Sequence, residues 1–198
     1  MKKRLWLAAL AAASWLTGCA SSGPGGDGWV TLIDGQRGLE NFNRTGNANW
    51  RPEDGAIVAD ARTGNDPAYL VTRNAYRDLM IRAEVWVSDD ANSGIFIRCA
   101  NPAAIGDETC YEANLFDRRP DPTFGTGAIV KVAKVSPMPR AGGKWNVLEF
   151  TARGTRLTVV LNGQKTAEAD DARLASGPFA LQYGAGVVKW RKVQVRAL

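Results

Sequence analysis

Tight-turn pairs punctuate this chain at short intervals. Asp34-Gly35, Asp54-Gly55, Gly142-Gly143 and Asn162-Gly163 divide it into brief apolar or alternating runs, and no stretch between them sustains a helical period. Strands are expected at Val30–Ile33, Ala56–Ala59, Tyr69–Val71, Leu79–Val87, Gly94–Cys99 and Cys110–Phe116. More are expected at Ala128–Val132, Trp145–Arg153, Arg156–Leu161, Gln164–Ala169, Phe179–Tyr183 and Val187–Val195. The clearest hairpin joins two of these through Asn162-Gly163, a pair suited to a two-residue turn. About a dozen short strands at this spacing specify an all-β fold, a two-sheet sandwich or jelly roll.

The beginning of the chain follows different rules. Lys2, Lys3 and Arg4 precede an apolar run from Leu5 to Leu16, which is short for a bilayer span, and Leu16-Thr17-Gly18-Cys19 follows. Small residues before a cysteine at the end of such a run read as a lipoprotein signal peptide over residues 1–18, with lipid on Cys19; the alternative is an ordinary secretory signal. Residues 19–28 then form a flexible tether (SSGPGGD), and 29–198 form a single domain. Residue 20 is Ala rather than Asp, so the expected location is the cell envelope, lipid-anchored in the outer membrane and facing the periplasm. Removing 1–18 takes three of the 25 basic residues and no acidic ones, leaving 22 against 20, a net charge of +2. No basic stripe remains in the sequence, and no nucleic-acid partner is expected.

Cys99 and Cys110 remain as a pair in an oxidising compartment, separated by a loop containing Asn101-Pro102 and Gly106-Asp107. A disulfide between them is the simplest account; two free thiols are the alternative. Histidine is absent from the whole chain, which excludes Ser-His-Asp and Cys-His catalysis and every imidazole metal site. No metal ligand set is assigned. The cofactor is left unknown, since a divalent metal would have to bind without histidine.

Alternation gives the functional hint. In Leu79–Val87, Ile81, Ala83, Val85 and Val87 share one side, with Arg82, Glu84 and Trp86 on the other. Phe96 and Arg98 oppose Ile95 and Ile97; Glu112, Asn114 and Phe116 share a side, as does Gln182 opposite Leu181. Rings beside acids and amides suit a sugar, whose C–H faces stack and whose hydroxyls take hydrogen bonds. The alternative is a surface ladder of cross-strand pairs.

The order of short motifs is also informative. Leu32-Ile33-Asp34-Gly35, Asp54-Gly55-Ala56-Ile57-Val58, Asn92-Ser93-Gly94-Ile95-Phe96-Ile97-Arg98 and Tyr111-Glu112-Ala113-Asn114-Leu115-Phe116-Asp117 appear first. Thr126-Gly127-Ala128-Ile129, Lys144-Trp145-Asn146, Leu161-Asn162-Gly163 and Gly177-Pro178-Phe179-Ala180-Leu181-Gln182-Tyr183 follow. This series resembles the DUF1080 family of 3-keto-disaccharide hydrolases and 3-keto-glucoside lyase/hydratases, from Trp29 to Leu198. The resemblance implies a concanavalin-like jelly-roll sandwich of two antiparallel sheets. It also implies a carbohydrate ligand and chemistry on glycosides oxidised at C3, where the ketone acidifies the C2 proton and permits loss of the C1 substituent. Some relatives use histidine and metal, a pattern from which this chain departs.

The expected catalytic residues are Glu112 and Glu84 as an acid/base pair and Arg98 to polarise a ketone, with pairing to Arg82 or Arg98 as the alternative for the acids. Trp86, Asn92, Asn114, Asp117, Gln182 and Trp50 are expected to bind substrate. Asp117 has a turn cap as its alternative role, Trp50 is left open between stacking and core, and Trp145 is expected in the core. A non-catalytic glycan-binding or envelope-interaction module is the competing function.

Overall fold

The computed structural model describes residues 28–198. The signal segment, Cys19 and all but the last residue of the tether lie outside the described residues.

Thirteen strands form: β1 (Val30–Asp34), β2 (Phe42–Thr45), β3 (Arg51–Glu53), β4 (Ala56–Ala59), β5 (Ala68–Thr72), β6 (Leu79–Val87), β7 (Ser93–Ile97), β8 (Tyr111–Leu115), β9 (Lys144–Arg153), β10 (Arg156–Leu161), β11 (Gln164–Asp170), β12 (Ala180–Tyr183) and β13 (Val188–Ala197). Helical structure among the described residues is limited to single 3-10 turns at Leu39–Asn41 and Pro122–Phe124. An eight-stranded sheet runs β11-β10-β9-β6-β13-β4-β3, with β1 alongside β13; a five-stranded sheet runs β2-β5-β12-β7-β8. All of these pairings are antiparallel, so the fold is the expected concanavalin-like sandwich.

The alternating strands fix which faces meet. Leu79, Ile81, Ala83, Val85 and Val87 of β6 point inward with Leu148, Phe150 and Trp190 from neighbouring strands. Opposite them lie Leu70, Ile95, Ile97, Ala113 and Leu181 of the five-stranded sheet. Burying each such large side chain contributes about 1.5–3 kcal/mol relative to leaving it in water. A register shift between Trp190 and Lys192 bends β13. The bulged Arg191 thereby turns its carbonyl to the Gly35 amide at 2.8 Å.

Two strands escape the sequence pattern. β2 (FNRT) is mostly polar and β3 (RPE) carries Pro52, and both sit at sheet edges where alternation and ladder donors matter least. The expected strand at Ala128–Val132 is only an isolated bridge from Ile129 to Ala113, since Lys131 takes a positive φ and turns the chain back at once. The Asn162-Gly163 hairpin forms as expected, with positive φ at both residues. Cys99 and Cys110 are joined in a disulfide. Closing a loop of this length contributes roughly 2–3 kcal/mol through chain entropy. The same loop carries Ile105, which packs on the outward side of the five-stranded sheet.

Candidate functional site

The five-stranded sheet has a second face, turned away from the core, and its side chains follow from the register. Phe96 pairs with Ala180 on one side and Glu112 on the other; Gly94 pairs with Asn114; Gln182 pairs with Tyr69. Gln182 also follows Leu181, the partner of Ile95, and so lies alongside Gly94. The outward surface is therefore two rows, Val71–Ala180–Phe96–Glu112 and Tyr69–Gln182–Gly94–Asn114, with neighbouring strands about 4.8 Å apart. Tyr69 and Phe96 meet edge to face with ring centroids 5.4 Å apart.

This face is covered rather than open: Tyr69, Phe96, Glu112, Asn114 and Gln182 are each no more than 7% exposed. A Cβ at Gly94 would lie 2.8 Å from the Ala113 carbonyl oxygen and 3.4 Å from Oε1 of Glu112, so the Glu112 side chain packs against a position that only glycine can occupy. Glu112 is only 7% exposed. Among the described residues no hydrogen bond stabilises its charge, and burial pushes its pKa up to about 8. Arg119, from the loop after β8, opposes that rise, and Asp107, from the disulfide loop, reinforces it. Both loops therefore reach the electrostatic neighbourhood of this acid.

The amides beside it are incompletely satisfied. Asn114 donates through Nδ2 to the Phe124 carbonyl at 2.8 Å, and Gln182 donates through Nε2 to the Tyr69 hydroxyl at a long 3.5 Å. Oδ1 of Asn114 and Oε1 of Gln182 are buried with no donor. Leaving a buried acceptor unmet costs on the order of 1–3 kcal/mol, which a ligand's hydroxyl groups would recover. Burial also raises the Tyr69 pKa, so its hydroxyl stays protonated at neutral pH. Asn92 shares this face of β7 at its end; its backbone pairs with Ala185, and its amide nitrogen crowds Gly184, where a Cβ would meet it at 2.9 Å.

The structure thus gathers Glu112, Asn114, Gln182 and Asn92 on one face, and it separates the other expected residues from them. Glu84 and Trp86 point outward from β6, which belongs to the other sheet, so the whole core lies between them and Glu112. Glu84 pairs with Arg191 at 2.7 Å, and Lys189 lies over the Trp86 ring. No acid/base pair with Glu112 is formed. Arg98 takes a positive φ where β7 ends and is buried, bonded to the Arg77 and Leu174 carbonyls and to Asp78. Its guanidinium is consumed in holding loops. Trp50 lies in the core against Tyr183, with ring centroids 6.2 Å apart. Trp145 reverses its expectation and is 37% exposed, because β9 begins with its outward side uncovered.

Asp117 has a cap's role on a larger scale. Its carboxylate accepts from Thr126 Oγ1 at 2.6 Å and from the amides of Ala141 and Gly142 at 3.0 and 2.9 Å, fastening the loop after β8 to the entry of β9. Asp117→Ala strands these donors, and the thermal midpoint measured by circular dichroism is expected to fall by about 6–10 °C, from about 3 kcal/mol. An unchanged midpoint with lost sugar binding would instead make Asp117 a ligand contact. Tyr69 and Arg119 were not expected here. β5 (AYLVT) is apolar on both faces, so alternation could not mark Tyr69, and Arg119 reaches the site only through the path of its loop.

The same residues do not make a metal centre. Among the described residues no three Cys, Asp or Glu side chains converge, and histidine is absent. Glu112 is the sole carboxylate on the outward rows, so the donor set does not fit a metal site and no step is derived through one.

The architecture places the chain among galectin-like and concanavalin-like β-sandwiches. Two solved structures from Parabacteroides distasonis, provisionally assigned as glycosyl hydrolases, superpose with TM-scores of 0.65 at 17% and 20% identity. The alignments cover 86% of this chain and 89% and 99% of theirs. The carbohydrate binding module CBM66 from Bacillus subtilis superposes at 0.61 with 16% identity, covering 86% of this chain and 96% of that one. No curated protein matches the sequence. The 3-keto-alpha-glucoside-1,2-lyase-like domain matches residues 28–196, and the chain belongs to that family.

Proposed function

We propose that the protein cleaves 3-keto-glycosides on the outward face of the five-stranded sheet, with Glu112 as the residue that moves the proton. The carrying observation is one buried, unpaired carboxyl among amide oxygens that lack donors. The sugar's hydroxyls satisfy Asn114 Oδ1 and Gln182 Oε1 beside the Tyr69 hydroxyl. Ionised Glu112 takes the proton from C2, made acidic by the C3 ketone. The C2–H electrons form the C1=C2 double bond as the C1–O bond breaks, and Glu112 returns the same proton to the departing oxygen. Water adds to the enone in hydration. Arg119 offers positive charge toward the enolate that develops at the ketone.

This scheme needs the ionised carboxyl, whose pKa lies near 8. Activity is therefore expected to rise about tenfold per pH unit below that value and to level off above it. The test is release of aglycone from an aryl 3-keto-glucoside by the purified protein across pH 5–9, with saturation binding measured in parallel. Turnover with that profile supports the proposal. Sugar binding without turnover overturns it in favour of a glycan-binding module, a reading supported by the likeness to CBM66. Export and a lipid anchor at Cys19 in the outer membrane, facing the periplasm, form part of the same proposal. Metabolic labelling with a fatty-acid probe tests the anchor, and a Cys19→Ser protein that still takes label overturns it.

A further inference from the structure

The outward face of the other sheet is chemically distinct. On β6, β13 and the start of β9 it carries Arg82, Lys189, Arg191, Lys192 and Arg196 against only Glu84 and Glu149. Arg82 bonds Glu149 and Arg191 bonds Glu84, each within 2.7 Å. Lys189, Lys192 and Arg196 have no acidic partner among the described residues. Those side chains of β6, β13 and the start of β9 sum to +3, while Asp34 of β1, opposite Lys192 in the register, pairs with Arg37 at 3.2 Å.

Tryptophans are interleaved with it. Arg191 stacks on Trp145 at 4.3 Å, Lys189 lies 5.4 Å from the Trp86 ring, and Trp29 sits between Arg82 at 5.2 Å and Arg196 at 5.0 Å. Trp145 and its neighbour Val147 are each 37% exposed. Indole rings and aliphatic stems that carry cations are suited to the boundary between headgroups and acyl chains. The described chain also enters on this face: Trp29 precedes Val30, the partner of Val195, and is held by Arg196. Nine residues separate Trp29 from Cys19, so an anchor there would lie within about 35 Å of the patch.

We infer that the outward face of the eight-stranded sheet docks on a membrane surface of anionic lipid headgroups, leaving the Glu112 face turned away from it. The charge and the tryptophans carry this; the anchor would add only proximity. The test uses the full chain with Cys19→Ser, which cannot be lipidated, and sucrose-loaded vesicles of phosphatidylglycerol or phosphatidylcholine. At low salt, partitioning onto phosphatidylglycerol is expected to exceed that onto phosphatidylcholine by tenfold or more. Adding Lys189→Glu and Lys192→Glu should lower that preference at least fivefold relative to the parent, as should 0.5 M salt. Trp145→Ala, which keeps every charge, should weaken binding to both vesicles by a few-fold. The leader, with its apolar run and Lys2, Lys3 and Arg4, is common to all these proteins, so the difference between parent and variant is what is read. Equal partitioning of the parent and charge-reversed proteins overturns the inference. Retention by a soluble polyuronate with no preference for phosphatidylglycerol also overturns it, since the face would then read an anionic glycan.

Discussion

Glu112→Gln is expected to abolish aglycone release while making the protein more stable in alkali. In the folded state the Glu112 carboxyl has its pKa raised from 4.5 to about 8, chiefly by burial. The native state therefore holds this proton more tightly than the unfolded chain does. Between those two values the native state binds more protons, so stability falls as pH rises. The contribution is fully present below about 4.5, declines through the interval, and is gone above about 8. The gap corresponds to roughly 5 kcal/mol as an upper bound. Glutamine keeps the shape and removes the titration. At pH 5 the two proteins should unfold together; at pH 9 the variant should unfold higher, by on the order of 10 °C for a domain of this size. Scanning calorimetry at both pH values checks this. A variant that melts lower at pH 9 would mean that the carboxylate is stabilised by contacts it does not make in this structure.

Arg98→Met should do the opposite, costing stability at every pH without a direct effect on chemistry. The buried guanidinium bonds the Arg77 carbonyl at 2.7 Å, the Leu174 carbonyl at 3.2 Å and Asp78 at 3.0 Å, while Asp78 also receives the Gly154 amide. One side chain thus joins the approach to β6, the β9–β10 turn and the segment before β12. Methionine fills a similar volume but leaves two carbonyls and a partly buried carboxylate without a cation. Breaking a buried pair on one side typically costs about 3–5 kcal/mol. A fall of about 10 °C or more in the thermal midpoint is expected, with sugar affinity unchanged below it. Arg98→Lys should restore only part of the loss, because a single ammonium cannot reach the three acceptors the planar fork serves. A midpoint within 2 °C of the parent, together with lost sugar binding, would return Arg98 to the ligand-contacting role that its motif suggested.

The contrast between Glu112 and Glu84 marks how far the sequence carries the site. Both acids occupy the non-aliphatic side of an alternating strand, and nothing local distinguishes them. β8 pairs with β7, whereas β6 lies between β9 and β13 in the opposite layer, so equivalent positions look out on opposite sides of the molecule. Asn114 and Gln182, separated by 68 residues, share a row because β7 lies between β8 and β12. Arg98 follows the alternation of β7 on paper but departs from it at the strand's end, where positive φ turns its side chain into the loops.

Local chemistry determined most of the strands, though not β2, β3 or the turn that replaces Ala128–Val132, together with the inward and outward sides of β6 and β7, the Asn162-Gly163 hairpin and the cysteine pair, because each depends on neighbours a few residues away or on a small set of partners. The family resemblance was legible for the same reason, as short motifs kept in order. The order of strands within two sheets is set by long-range burial, and that alone decided which outward face holds an unpaired acid among amides and which gathers the cations. A chain with no basic stripe in its sequence acquires one when β6, β9 and β13 lie side by side, since charge adds across strands that sequence distance keeps apart.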